Sequence, residues 1–300
     1  MACVDFFIAG APKCGTTSLH YYLSQHPEIK MADPKEPHFF GSDLGGYQAH
    51  DCQDGYEAMF AEAVAKARGE SSVFYLMSQD AMDQVKTYNP HGKIILILRD
   101  PKQMLPSLHA QLVFTQDEDV DDFETAWNFS AQRENGGAQA KHARSMVPLK
   151  YRSCAKYGAQ VARLTELFEA SQVHIVLFED FKNDAQKSVS DILKFLEIKD
   201  VSANLNYALQ NPNTVNRSAF LTRALRHPPG WVKILKRALL GRGPNKLRSK
   251  LLDMNTIAKP RAPLPASVYR EIDAEYREDV KVLSQILGRP LDHWLGVPNT

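Results

Sequence analysis

The chain predicts an α/β fold, a parallel sheet with helices on both faces, and three observations carry that expectation. Apolar runs of strand length occur at 4–9, 93–98 and 173–178, each followed by a segment of helical character. The second run, Lys93-Ile94-Ile95-Leu96-Ile97-Leu98, is apolar almost without a break, as strands covered on both faces are. Between the first run and its helix lies a glycine-bounded loop, Gly10-Ala11-Pro12-Lys13-Cys14-Gly15-Thr16-Thr17. With 300 residues, 44% of them hydrophobic, the chain can bury one large core or a core with a small appendage. A single domain over 1–300 is expected, its core spanning about 1–200 and the remainder packing onto it.

In chain order, residues 4–9 read as a buried strand and 16–25 as the first helix, ended near His26-Pro27. Asp33-Pro34-Lys35-Glu36-Pro37-His38-Phe39-Phe40 reads as a constrained loop anchored by Phe39 and Phe40. Residues 41–55 suggest a surface loop, and 56–67 a helix. Glu70 to Leu76 is a short segment before a helix at 79–87. After the strand at 93–98, Arg99-Asp100-Pro101 marks a stop, with a helix from about 102. Residues 117–146 are polar and helical in parts, with a break at Gly136-Gly137; 152–170 is an amphipathic helix. The strand at 173–178 precedes a helix at 184–196. Periodicity weakens over 204–265, where Lys233, Lys236, Arg237, Arg242, Lys246, Arg248 and Lys250 form a basic stretch, read as a solvated helix face. A helical pattern returns over 266–287, and Trp294 should pack back on the body.

The net charge of +1 and 24% charged residues give no global field for nucleic acid or an anionic membrane. Cys3, Cys14, Cys52 and Cys154 are scattered, with no C-x-x-C pair. That spacing argues against a zinc site or a disulfide framework and fits a reducing compartment. No charged leader precedes an apolar stretch, and no apolar run reaches the roughly 18 residues of a membrane span. The expectation is a soluble, cytoplasmic protein without signal peptide, transmembrane segment, internal repeat or low-complexity tract.

A strand, a glycine-bounded loop and a helix start direct backbone N–H groups and the positive helix end at an anion, usually a phosphate. Gly10 and Gly15 have the spacing of a Walker A loop, but Thr16 follows Gly15 and the lysine sits inside the loop as Lys13. The fold is therefore P-loop-like, three layers around the parallel sheet, without an ordinary ATP or GTP loop. A P-loop nucleotide kinase or NTPase is the alternative: Ile94 to Asp100 superficially resembles a Walker B strand. Against it, Arg99 precedes Asp100, Pro101 constrains it, and the loop has no Gly-Lys-[Ser/Thr]. Lys13 and Arg99 both follow strand ends, so both fall on the carboxyl edge of the sheet, where ligands of such sheets bind. Arg99 suits forked contact with phosphate oxygens, and Ser107 in the following helix could add a hydroxyl. Alone, Arg99 would as readily cap the sheet edge.

These elements together resemble the sulfotransferase family, in motif nearest its carbohydrate-type and bacterial branch. The resemblance rests on Pro12-Lys13-Cys14-Gly15-Thr16-Thr17-Ser18-Leu19 after the first strand, then Arg99-Asp100-Pro101 with Ser107. Glu36-Pro37-His38-Phe39-Phe40, Tyr157 with Gln160, Phe178-Glu179-Asp180-Phe181 and the ending from Leu264 to Trp294 extend it over most of the chain. The resemblance implies a donor, 3′-phosphoadenosine 5′-phosphosulfate (PAPS), leaving 3′,5′-adenosine bisphosphate, with no metal expected. It implies a sulfuryl transfer by in-line displacement to a hydroxyl-bearing acceptor: a sugar, a lipid or polyketide hydroxyl, or a small alcohol. Cys14, Gly15, Thr16, Thr17 and Ser18 would cradle the 5′-phosphate, and Lys13 would stabilise the leaving phosphate. Arg99 and Ser107 would meet the 3′-phosphate.

Glu36 is the general base the resemblance implies, and a rigid loop beside an aromatic wall would raise its pKa by desolvation. On the residues alone it reads as a solvated glutamate paired with Lys35. His38 is the other candidate base or substrate contact, or a half-buried histidine bonded locally. The family's cytosolic branch uses a histidine upstream of the Arg-bearing strand, and Glu70 to Leu76 contains none. Gly69-Glu70-Ser71-Ser72 also lacks a lysine that the glycan-modifying branch carries there. Arg217 is a possible closing contact on the 3′-phosphate or an exposed arginine. Tyr157 could touch the nucleotide or pack inside its helix. Cys14 reads as a small loop residue, since no histidine in sequence reach would activate it.

Overall fold

The computed structural model describes residues 3–61, 65–208, 214–216, 256–258 and 263–296. Five strands form one parallel sheet: β1 (Phe6–Gly10), β2 (Ile29–Met31), β3 (Ala67–Ser71), β4 (Lys93–Leu98) and β5 (Val173–Leu177). Their order is β2-β3-β1-β4-β5. β1 is central, paired with β3 on one side and β4 on the other, and all five of its residues are buried. That position explains its unbroken apolar character, because both faces of a central parallel strand are covered by helices. β6 (Thr214–Asn216) and β7 (Thr256–Ala258) form a separate antiparallel pair.

The helices are α1 (Thr16–Ser24), α2 (Gln53–Glu57), α3 (Ala81–Tyr88), α4 (Pro101–Thr115) and α5 (Phe123–Glu134). They continue with α6 (Tyr151–Cys154), α7 (Tyr157–Leu167), α8 (Phe178–Asn183), α9 (Ala185–Phe195) and α10 (Ala266–Leu287). None of the described helices is long and apolar enough to cross a membrane. Asp100 caps α4 by accepting the Lys102 N–H at 2.9 Å, and Pro101 takes the first helical position.

Two short strands join the sheet beyond those expected, and two expectations are corrected. β2 is three residues long, and β3 carries no apolar alternation, reading Ala-Arg-Gly-Glu-Ser. It is a strand because tertiary packing demands it: Gly69 lies opposite Phe6, where an added Cβ would come within 2.1 Å of the Phe6 ring. The helix expected over 56–67 is divided, since α2 passes into a 3-10 turn at Ala58–Phe60 and Ala67 already belongs to β3. The amphipathic helix over 152–170 is two helices, α6 and α7, meeting at Ala155-Lys156. α10 packs on α7 at Gly158, whose N–H donates to Asp279 Oδ2 at 2.8 Å; a Cβ there would sit 2.3 Å from the Asp279 carbonyl oxygen. Trp294 does pack back, with its Nε1 donating to Glu179 at 3.0 Å.

Away from the sheet, a buried ion pair sets the turn after α4. Arg133 on α5 donates to both oxygens of Glu118 at 2.6 and 2.8 Å, and Tyr151 donates to the same carboxylate at 2.9 Å. Burial alone would raise the Glu118 carboxyl, but the Arg133 bonds outweigh it and hold the group below its ordinary range. Arg133→Ala should therefore destabilise the fold by about 3–5 kcal/mol, because it strands a buried charge. Denaturant unfolding at pH 7 checks this, and a loss below about 1 kcal/mol would contradict it.

Candidate active site

The carboxyl ends of β1, β2 and β4 deliver Lys13, Glu36 and Arg99 to one edge of the sheet. After β1 the chain turns through Lys13, whose φ is 60°, and Gly15, whose φ is 89°. Gly15 has no room for a side chain, since an added Cβ would meet the Phe178 and Phe181 rings at 3.1–3.2 Å. α1 then starts with no side-chain cap and no acidic residue in its first turn, so its first N–H groups and positive end are left to an anion. Ala11 N–H donates to the Ile97 carbonyl at 2.8 Å, tying the loop to β4. Arg99, just past β4, donates through Nη1 to the Lys13 carbonyl at 3.1 Å. Its guanidinium also bonds Gln103 Oε1 at 3.1 and 3.3 Å and lies 4.5 Å from the centre of the Phe178 ring. The two basic residues, far apart in sequence, thus meet at the sheet edge as expected.

Glu36 lies on the loop after β2. It and His38 both have left-handed backbone, φ 65° and 43°. The anchors are aromatic: Phe39 stacks on Tyr56 at 4.6 Å, and Phe40 packs among Phe7, Tyr75 and Tyr88. Lys35 Nζ donates to Glu36 Oε1 at 2.5 Å. The expected upward shift of the Glu36 pKa does not occur. Desolvation raises it, but the attraction of Lys35, with His38 and Lys13 adding to it, wins and the carboxyl falls below its ordinary value. The side chain keeps 34% of its exposure, so it can still reach a ligand. The influence of Lys13 on Glu36 places the loop lysine and this carboxylate in one electrostatic unit.

His38 is 2% exposed, more deeply buried than expected, and stacks on Phe74 at 5.1 Å. Its Nδ1 lies 3.1 Å from the Glu36 carbonyl oxygen. A carbonyl only accepts, so Nδ1 carries the proton and Nε2 keeps its lone pair. Burial pushes the imidazole down to about 4, so the ring is neutral at pH 7. Nε2 is buried without a hydrogen-bond partner, and His38 lines a cavity of about 210 Å³ with Lys35, Glu36, Tyr47, Phe74 and Gln111. Another wall is Arg144, which donates to Asp117 through Nε at 2.9 Å and Nη2 at 2.6 Å and sits over Tyr47, 4.1 Å from the ring centre.

The remaining predicted residues divide clearly. Thr16 and Ser18 are buried in the first turn of α1, and Thr17 is half-buried there. Ser107 is buried in α4. Cys14 is buried and burial pushes its thiol up to about 12, so it is not a nucleophile. Tyr157 is 1% exposed, packed beside Cys14 and 6.3 Å from the Trp294 ring centre; it supports the loop from beneath. Arg217 and the basic stretch over 233–250 lie outside the described residues.

Sequence reasoning missed His20, Gln111 and the Tyr47–Arg144–Asp117 wall. His20 Nδ1 lies 3.0 Å from Ser71 Oγ, and burial with the Lys35 charge pushes the ring down to about 4. Its position one turn after Thr16 and Thr17 was the available signal. Arg144 stands in a polar stretch without periodicity, and nothing local announced it.

A family profile described as the sulfotransferase domain matches residues 4–223. The chain is 30% identical over 161 residues to carbohydrate sulfotransferase 15 of Rattus norvegicus, covering 39% of this chain and 28% of that protein. It is 24% identical over 309 residues to the bifunctional heparan sulfate N-deacetylase/N-sulfotransferase 4 of Mus musculus, covering 97% of this chain and 31% of that protein. It therefore spans less than a third of the length of these relatives. A solved sulfotransferase from Alicyclobacillus acidocaldarius shares the fold, with TM-score 0.70 and 24% identity over 98% of this chain and 99% of that one. With the profile covering most of the chain and the loop, sheet order and Arg99 contact falling inside it, the chain belongs to the sulfotransferase domain family.

Proposed function

We propose that this chain transfers a sulfuryl group from PAPS to a hydroxyl of an acceptor held in the cavity beside Glu36. The observation that carries the reading is the convergence, at one sheet edge, of an uncapped helix start, two basic residues and a cavity with an unpartnered imidazole nitrogen. Two groups of this chain suit the phosphates: the loop N–H groups with Lys13 at one end, and the Arg99 fork at the other. When bound, the donor supplies an activated sulfuryl group, whose bond to the bridging phosphate oxygen breaks as the acceptor oxygen bonds to sulfur. Glu36 takes the acceptor proton. His38 Nε2, with its lone pair in the cavity, accepts a hydrogen bond from the acceptor and orients it. Lys13 lies where negative charge grows on the leaving oxygen, so its ammonium stabilises the transition state more than the ground state. Lys35 keeps Glu36 ionised and ready.

Thermal unfolding with 3′,5′-adenosine bisphosphate, ATP and GTP tests the donor. The bisphosphate at about 100 times its dissociation constant should stabilise the fold by about 2.7 kcal/mol. Stabilisation by ATP with Mg²⁺ and none by the bisphosphate would sink the reading. Arg99→Ala should weaken bisphosphate binding about 10- to 100-fold by calorimetry, the worth of a lost charged contact, and change turnover at saturating donor much less.

A further inference from the structure

Glu70, at the carboxyl end of β3, has no part in the chemistry above. It is 0% exposed. Its Oε2 accepts a bond from Ser72 Oγ at 3.2 Å, and its Oε1 has no hydrogen-bond partner. A fully buried carboxyl with an open oxygen is costly and calls for a reason.

The reason lies one bond further on. Ser72 Oγ accepts the backbone N–H of His38 at 3.0 Å. Two residues along, the N–H of Phe40 donates to Tyr75 Oη at 3.2 Å. Ser72 and Tyr75 are both wholly buried, and both face Glu70. These bonds fall on the one loop whose residues Glu36 and His38 hold left-handed backbone. Non-glycine residues keep that conformation only where their surroundings enforce it. Ser71, beside them, meets His20 on α1, so the end of β3 also touches the helix that follows the phosphate loop.

We infer that Glu70 is a positioning residue: through Ser72 and Tyr75 it holds the Glu36–Phe40 loop in the shape that presents Glu36 and His38 Nε2 to the acceptor. An amide can do the same work, since its carbonyl oxygen accepts a hydroxyl as the acid's Oε2 does. Burial pushes the group up to about 8, while the neighbouring hydroxyls of Tyr75, Ser72 and Tyr56 and the charge of Lys35 pull the other way. Those are the titratable and charged groups that face it. Glutamine should therefore replace it, and alanine should not.

The turnover arm rests on the function proposed above; the histidine arm does not. The test compares Glu70→Gln, Glu70→Ala and Ser72→Ala in the full chain. Three quantities are measured: turnover with labelled PAPS, affinity for 3′,5′-adenosine bisphosphate, and the titration of the His38 ring by nitrogen NMR. Glu70→Gln should keep turnover within about twofold at pH 7, since the amide oxygen can accept the Ser72 bond. Glu70→Ala should lower turnover about 10- to 100-fold, the effect of a misplaced reacting group, with bisphosphate affinity unchanged. In that variant His38 should titrate nearer its ordinary value of about 6.5 instead of about 4. Ser72→Ala should give the same His38 shift, and it decides the matter should Glu70→Ala fail to fold. Glutamine as damaging as alanine, or wild-type His38 titration in both loop-releasing variants, would overturn the inference. A wild-type protein without sulfuryl transfer would overturn the proposed function instead, and the His38 titration would still decide the role of Glu70.

Discussion

Lys13→Ala is expected to cut turnover by about 10²–10³-fold, the range measured when one preorganised donor to a developing oxyanion is removed. The fold should survive. The lysine sits at φ 60° and contributes its carbonyl to Arg99, and alanine keeps both the backbone and that bond. The substitution removes a charge that acts in two places. In the proposed reaction one is the leaving oxygen; the other is Glu36, whose carboxylate Lys13 helps to keep ionised. Affinity for 3′,5′-adenosine bisphosphate should fall less than turnover, because the bisphosphate presents no sulfuryl group to be displaced. Single-turnover rates with labelled PAPS, set beside calorimetric binding of the bisphosphate, separate the two effects. Equal losses in both would mean that Lys13 only binds, and a retained rate would remove it from the chemistry.

Glu36→Gln should reduce turnover by about 10²–10⁴-fold, the usual contribution of a general base, and leave bisphosphate affinity within about twofold. The pH dependence has a definite sign. Lys35, His38 and Lys13 lower the Glu36 pKa, so the base remains ionised to below the ordinary carboxylate range and the acidic limb of the rate lies there. Lys35→Met withdraws the first of those charges and should move the limb to higher pH. His38 is pushed down to about 4, so its own titration would produce a limb in the same region. Substitution therefore separates the two bases where a pH profile would not. Full turnover in Glu36→Gln, with loss in His38→Ala, would transfer the role of base to the histidine.

The donor side was legible in the sequence because its parts are local. Glycine spacing, an apolar strand and a helix start occupy one continuous stretch at 4–25, and Arg99 directly follows an apolar run. Two strands of the sheet were not legible. β2 is three residues long, and β3 shows no apolar pattern because its place is decided by what Gly69 leaves open for Phe6. The charge balance at Glu36 needed the fold: desolvation and pairing with Lys35 are both readable from the sequence, and only the structure shows that Lys35 turns towards Glu36 and outweighs burial.

The chain by itself determined the fold class, the glycine-bounded loop after β1, the meeting of Lys13 with Arg99 and the loop that carries Glu36. Backbone geometry within short segments produces these, so short-range patterns report them. The tertiary structure alone decided the protonation state of Glu36 and His38, the cavity walls at Tyr47, Gln111 and Arg144, and the buried support at Glu70 and Ser72. Those depend on side chains from separate segments, each set by packing and desolvation that no local pattern records.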